Sequence, residues 1–180
     1  MNKKNYLAIF AKSFNWAGFF LPKKIYEDSA ILYAFCRVLD DIADEKTSLD
    51  SKIKKFNEMR KLLEKFYDAN NFEIHSSNEN EKIIHDVITL AKNNNIKKII
   101  LKDLVDGVAS DLKEKIHIRS VKDLLVYSYR VAGTVGLMMA KIFGIKKKES
   151  LQRAIDLGIA MQLTNIARDV IEDKKKIGVI

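Results

Sequence analysis

The sequence is poor in residues that break or staple a chain. Pro22 is the only proline among 180 residues, and there are seven glycines. That scarcity weighs against a turn-rich β fold and favours long helices. Cys36 is the only cysteine, which excludes an internal disulfide and suits a reducing compartment. Its ordinary role would be that of a small buried apolar residue. A clean membrane span is also lacking. The best candidate, "LLVYSYRVAGTVGLMMAKIFGI" at 124–145, carries Arg130 and Lys141, whose charges are costly inside a bilayer, so a buried bundle helix explains it better. The N-terminal "MNKKNYLAIFAKSF" holds an apolar patch too short for a secretory core. Neither a glycine-rich phosphate loop nor a nucleophile elbow is present. His75, His85 and His117 lie in or near polar stretches without metal-ligand spacing and are expected at the surface.

What is present is lysine and apolar surface. The chain carries 32 Lys and Arg against 24 Asp and Glu, for a net charge of +8, and only six of the cations are arginine. Segments such as "AKNNNIKK" have the look of a compositional bias as much as of a binding surface. A lysine-rich face could rest on anionic lipid. No recognition-helix or RNA-binding signature accompanies it, so nucleic acid is not expected as a partner. The expectation is a cytoplasmic protein, with contact at the inner face of the membrane left open, as is the oligomeric state. At 47% hydrophobic residues the chain can build one real core.

Apolar residues recur at helical spacing almost throughout, and no alternating strand pattern stands out. The spacing predicts a short helix over 3–12 and a long one beginning at Pro22 and running through 23–45. A helix over about 50–69 would be capped by Ser48 or Asp50. A loop, "DANNFEIHSSNENE", follows, then helices over 79–93, 96–112, 120–143 and 148–176. No repeat or linker divides residues 1–180, so the expectation is one all-α bundle, a fold that builds its sites in the core from facing helices.

The acidic residues fall on two helices. Residues three and four apart share a helix face. Tyr33, Arg37, Asp40 and Asp44 therefore form one stripe, with Asp41 and Glu45 beside it. Gln162, Asn165, Asp169 and Glu172 form a second, with Arg168 and Asp173 adjacent. An acidic turn alone is ordinarily a solvated helix end. Two stripes, each with an arginine in a chain that mostly uses lysine, point instead to Mg²⁺ and diphosphate. Mg²⁺ takes one or two carboxylates, keeps waters and accepts phosphate oxygens, and arginine adds a planar fork for phosphate. In "VAGTVGLMMA", Ala132, Gly133, Gly136 and Ala140 share a face, which suits close helix packing or a tunnel for a long apolar tail. Met138 and Met139 are expected in the core.

Four ordered segments resemble the squalene and phytoene synthase family, the head-to-head prenyl synthases. They are "SFNWAGFFLP" at 13–22, "YAFCRVLDDIAD" at 33–44, "YSYRVAGTVGLMM" at 127–139 and "QLTNIARDVIED" at 162–173; "DGVASDL" at 106–112 is a weaker fifth. The resemblance implies an isoprenoid-synthase-type helical bundle with a central cavity. It also implies Mg²⁺-dependent joining of two prenyl diphosphates, with Mn²⁺ as an alternative ion. By the same resemblance Asp40, Asp44, Asn165 and Asp169 would ligand the metal, supported by Asp41 and Asp173. Arg37, Arg168, Tyr33, Ser13 and Gln162 would bind diphosphate or the adjoining chain, and Phe14, Tyr129, Val131 and Ala132 would border the cavity. Asp40, Asp44, Asp169 and Arg37 would carry the chemistry.

The closest likeness is to the bacterial phytoene-forming branch. That implies geranylgeranyl diphosphate as substrate, a cyclopropylcarbinyl diphosphate intermediate and no NADPH. Squalene or dehydrosqualene formation from farnesyl diphosphate is the alternative, and a non-catalytic helical protein the second. Family members continue well beyond the second acidic motif, whereas this sequence stops at "KKKIGVI". The expectation is that C-terminal helices are missing, and that these 180 residues alone are inactive or poorly stable.

Overall fold

The computed structural model describes residues 20–69, 79–112 and 118–176, with the helical backbone alone over 170–176. Among these residues every regular element is a helix. The first, α1 (Lys23–Asp44), starts directly after Pro22, whose carbonyl accepts from the Tyr26 N–H at 3.0 Å. Pro22 thus occupies the cap position, one residue outside the first turn. Helix α2 (Leu49–Tyr67) is capped by Ser48, whose hydroxyl accepts from Ser51 N–H at 3.3 Å. Asp50 lies in its first turn, where a carboxylate meets the positive end of the helix dipole. Then come α3 (Glu79–Asn93) and α4 (Lys98–Ser110).

The expected helix over 120–143 forms as one helical run over 121–142 that contains a π turn. It consists of α5 (Val121–Ser128), a π turn (Tyr129–Gly133) and α6 (Thr134–Ile142). The Thr134 hydroxyl donates to the Arg130 carbonyl at 2.7 Å at this turn. Gly107 of α4 presses on the same place: a Cβ there would lie 2.7 Å from the Arg130 Cβ. The last helix, α7 (Lys148–Lys176), coincides with the expected 148–176. Expectations for 3–12 fall outside the described residues.

The core is built where α1–α4 meet. Phe35 and Leu39 of α1, Phe56, Met59 and Leu63 of α2, Ile84, Val87 and Ala91 of α3, and Leu101, Leu104 and Val105 of α4 are all buried. Ion pairs fasten the outside, Arg60–Asp106 at 2.6 Å between α2 and α4 and Lys98–Asp68 at 2.6 Å between the start of α4 and the end of α2. Met138 is buried in the core as expected, and Met139, half-buried, packs against that core and also lines a cavity. His85 is half-buried rather than fully at the surface. No helix among the described residues is long and apolar enough to cross a membrane.

Helix α7 lies against α5, the π turn and α6. A Cβ on Gly136 would sit 2.3 Å from the Ala154 carbonyl oxygen, and one on Gly158 would sit 2.4 Å from that of Ala132. Real Cβ atoms do not come so near a backbone oxygen, so both glycines are required. The small residues of "VAGTVGLMMA" therefore serve helix packing. Beside this contact on α7, Leu157 and Met161 are exposed, at 63% and 60%.

Gly158→Ala should force the two backbones apart and cost about 1–3 kcal/mol, the usual penalty of overpacking. Urea unfolding of the variant tests this; an unchanged midpoint would contradict the contact.

Candidate active site

The α1 stripe forms as its spacing dictates. Tyr33, Cys36 and Asp40 face a cavity of about 330 Å³ together with Ser29 and Leu32 from the same helix. Leu104, Val108 and Asp111 close it from α4 and the residue just after it, Tyr127, Val131, Val135 and Met139 from the α5–α6 helix, and Gln162 from α7. Four sequence-predicted residues thus meet in one space: Tyr33, Asp40, Val131 and Gln162.

One end of this cavity is acidic. The Tyr127 hydroxyl donates to Asp111 Oδ2 at 3.0 Å. Partial burial raises the Asp40 carboxyl above its ordinary pKa even though much of the residue reaches solvent. Arg37 opposes the rise, and the negative charges of Asp44, Asp41 and Asp111 add to it. Burial likewise raises Asp111, against the bond from Tyr127. The Tyr127 hydroxyl is raised too, by burial and then by the charges of Asp111 and Asp40, so it keeps its proton. Asp40 of α1 and Tyr127 of α5 therefore both sense the charge of Asp111, just after α4.

The walls beyond that end are apolar. Ser29 lies eleven residues before Asp40 on α1, and Met139 twelve after Tyr127, each about 16–18 Å along its helix at 1.5 Å per residue. Since Asp40 and Tyr127 share the acidic end, α1 and the α5–α6 helix run antiparallel. Ser29 and Met139 mark the other end. The Ser29 hydroxyl is buried with no hydrogen-bond partner. The Cys36 thiol, between the two ends, is pushed up to about 12 by burial and then by Asp40, so it remains a neutral wall group.

The other predicted residues are placed less centrally. Arg37 pairs with Asp41 at 2.6 Å, and Asp44 is exposed at the end of α1. Asn165 is half-buried on α7, while Arg168 and Asp169 are exposed and pair with each other at 2.9 Å. Tyr129 does not line the cavity; its hydroxyl donates to Asp103 at 3.5 Å. Ala132 does not line it either, since its carbonyl lies against Gly158. The π turn separates the face carrying Val131, Val135 and Met139 from the one packed on α7. Ser13 and Phe14 lie outside the described residues, as does the side chain of Asp173. Sequence reasoning missed Asp111 and Tyr127. The signal was available, because Leu104, Val108 and Asp111 follow helical spacings of four and three.

Among the described residues no three Asp, Glu, His or Cys groups gather closely enough to hold a metal by themselves. The donor chemistry still fits Mg²⁺. Hard carboxylate oxygens stand at one end, and Mg²⁺ ordinarily takes most of its ligands from water and phosphate.

A carboxyl raised in the folded state binds protons more readily folded than unfolded. Stability from Asp40 and Asp111 is therefore greatest below the ordinary carboxylate pKa and falls as pH rises through their raised values. Asp40→Asn should stabilise the protein at neutral pH by about 0.5 kcal/mol, the scale of a relieved like-charge helix pair. The gain should vanish in acid, where Asp40 is protonated. Urea unfolding at the two pH values reads this, and a loss of stability at neutral pH would refute it.

The family model described as squalene/phytoene synthase matches residues 8–180. A 15-cis-phytoene synthase from Paracoccus sp. is 34% identical over 165 residues, covering 92% of this chain and 54% of that protein. One from Enterobacter agglomerans is 36% identical over 168 residues, covering 91% and 55%. A dehydrosqualene synthase crystallised with a ligand superposes with a TM-score of 0.71 at 28% identity, over 99% of this chain and 58% of that one. The chain spans about half the length of the curated relatives it matches. With its all-α isoprenoid-synthase fold and this span of matching sequence, the chain belongs to the squalene/phytoene synthase family.

Proposed function

We propose that the protein carrying this sequence is a phytoene synthase. It would join two geranylgeranyl diphosphates head to head, through a cyclopropylcarbinyl diphosphate, and release diphosphate. The observation that carries the reading is the two-ended cavity: carboxylates and a protonated tyrosine at one end, apolar walls leading away from it. A prenyl diphosphate has the same two-part chemistry. The relatives named as phytoene synthases support the C20 substrate.

Asp40 and Asp44, with Asp41 beside them, would hold Mg²⁺ from α1, joined by Asp111. Asn165 and Asp169, with Asp173, would hold it from α7. Bound Mg²⁺ supplies positive charge to the leaving diphosphate. Arg37, fixed by Asp41, and Arg168, fixed by Asp169, would add guanidinium donors to the same oxygens. Tyr127 keeps its proton and is held by Asp111, so it is a fixed hydroxyl beside the leaving group rather than a base. Leu32, Leu104, Val131, Val135 and Met139 exclude water from the allylic cation, and the Tyr33 ring offers it a π face. A dehydrosqualene- or squalene-forming enzyme using farnesyl diphosphate is the second reading. It is favoured by the solved structural relative and by a cavity near the lower limit for ligand sites.

Full-length protein given geranylgeranyl diphosphate and Mg²⁺ should make a C40 hydrocarbon without NADPH. A C30 product from farnesyl diphosphate alone would favour the second reading. Asp40→Asn and Asp111→Asn should each lower kcat by roughly a hundredfold or more, the scale of losing one preorganised charge-stabilising group. Chelation should abolish turnover, and Mn²⁺ should restore part of it. Wild-type rates in Asp40→Asn, in protein folded by circular dichroism, would remove the site assignment.

A further inference from the structure

The bundle has a second end, away from the acidic one, and its chemistry is different. Helix α6 finishes in a turn where Gly144 takes a φ of 78°. There Ile145 N–H bonds to the Ala140 carbonyl at 3.0 Å and Gly144 N–H to that of Lys141 at 2.9 Å. Glycine adopts that backbone at little cost. The turn holds out Phe143 and Ile145, 43% and 40% exposed, and runs directly into exposed Lys146, Lys147 and Lys148.

A matching turn ends α3, with Asn95 at φ 52° and Ile96 N–H bonded to the Ala91 carbonyl at 2.8 Å. The two turns are joined, because Lys141 Nζ donates to the Asn95 carbonyl at 2.8 Å. Exposed Lys97 and Ile99 follow the second turn. The Asn94 side chain reaches Asp28 of α1 at 3.2 Å, which ties the start of α1 to the same end. Asp28 is already paired with Lys24 at 3.1 Å, leaving Glu149 and Glu27 as the exposed acids nearby in sequence.

Local stability does not explain these lysines. Lys147 and Lys148 stand at the N-terminus of a 29-residue helix, where the dipole disfavours cations. None of the ion pairs among the described residues engages Lys146, Lys147 or Lys148. Exposed aromatic and aliphatic side chains set among compact cations are what the charged interface of a bilayer accepts.

We propose that this end, through Phe143, Ile145, Lys146, Lys147 and Lys148, docks on the surface of an anionic lipid bilayer. Charge complementarity selects the anionic headgroups, and the two apolar side chains enter the headgroup boundary. Met139 lies one helical turn before Phe143, so docking turns the apolar end of the cavity toward the lipid and the acidic end toward water. The docking itself does not depend on the proposed reaction.

Flotation of the full-length protein with vesicles tests it. Wild type should float with phosphatidylcholine vesicles containing phosphatidylglycerol, and far less with pure phosphatidylcholine. Each lysine near an anionic surface contributes roughly fivefold in affinity, so K146Q/K147Q/K148Q should bind roughly a hundredfold more weakly. F143S/I145S should also lose binding. Both variants should keep the wild-type circular dichroism and the wild-type affinity for Mg²⁺–diphosphate, which binds at the other end. Failure of wild type to float, or flotation of the lysine variant equal to wild type, overturns the proposal. So does equally tight binding to heparin that is insensitive to F143S/I145S, since that would mark a general polyanion surface.

Discussion

Two backbone contacts decide where the longest helix runs. Gly136 against the Ala154 carbonyl and Gly158 against that of Ala132 draw α7 onto α6 and the π turn at a separation that any side chain would prevent. Dispersion falls steeply with distance, so contact at this range holds two helices together without large side chains between them. Everything α7 contributes is measured from this seam. Gln162 lies one turn beyond Gly158 and reaches the cavity, while Leu157 and Met161, on the flank of the seam, are left exposed.

Against that well-packed frame, the acidic end is a local conflict. Asp40, Asp41 and Asp44 crowd successive turns of α1, and Asp111 approaches from α4. A sequence chosen for stability alone would relieve this, and one arginine does so only in part. Such conflicts are tolerated where function requires them and are offset by packing elsewhere. Here the offset is the apolar junction of α1–α4, which contains Phe35 and Leu39 from the same helix that carries the acids.

Much of this was legible in the sequence because so little interrupts it. With one proline and few glycines, helical periodicity ran unbroken, and α1, α3 and α7 fall within a residue of their expected limits. The Tyr33–Asp40 stripe could be read because it lies within one regular helix. The π turn could not. It coincides with Gly107 of another helix pressing on Arg130, and no local pattern encodes that contact. The family resemblance placed Tyr129 and Ala132 at the cavity border, and neither lines the cavity of these described residues. The α7 stripe shows a further limit: periodicity says that Gln162, Asn165 and Asp169 share a face, but not how far along it the neighbouring helices extend. Asp111 fell inside the expected helix over 96–112, and the sequence alone does not say that this turn of it meets Asp40 and Tyr127.

The antiparallel pairing of α1 with the α5–α6 helix separates two kinds of information along the same pair of elements. Residues that manage charge stand at one end, while Ser29 and Met139, which bound the apolar space, stand several turns away at the other. Substitution at the far end alters the room available without touching an acidic residue. Selection can therefore alter the apolar space and the charged end as nearly independent traits.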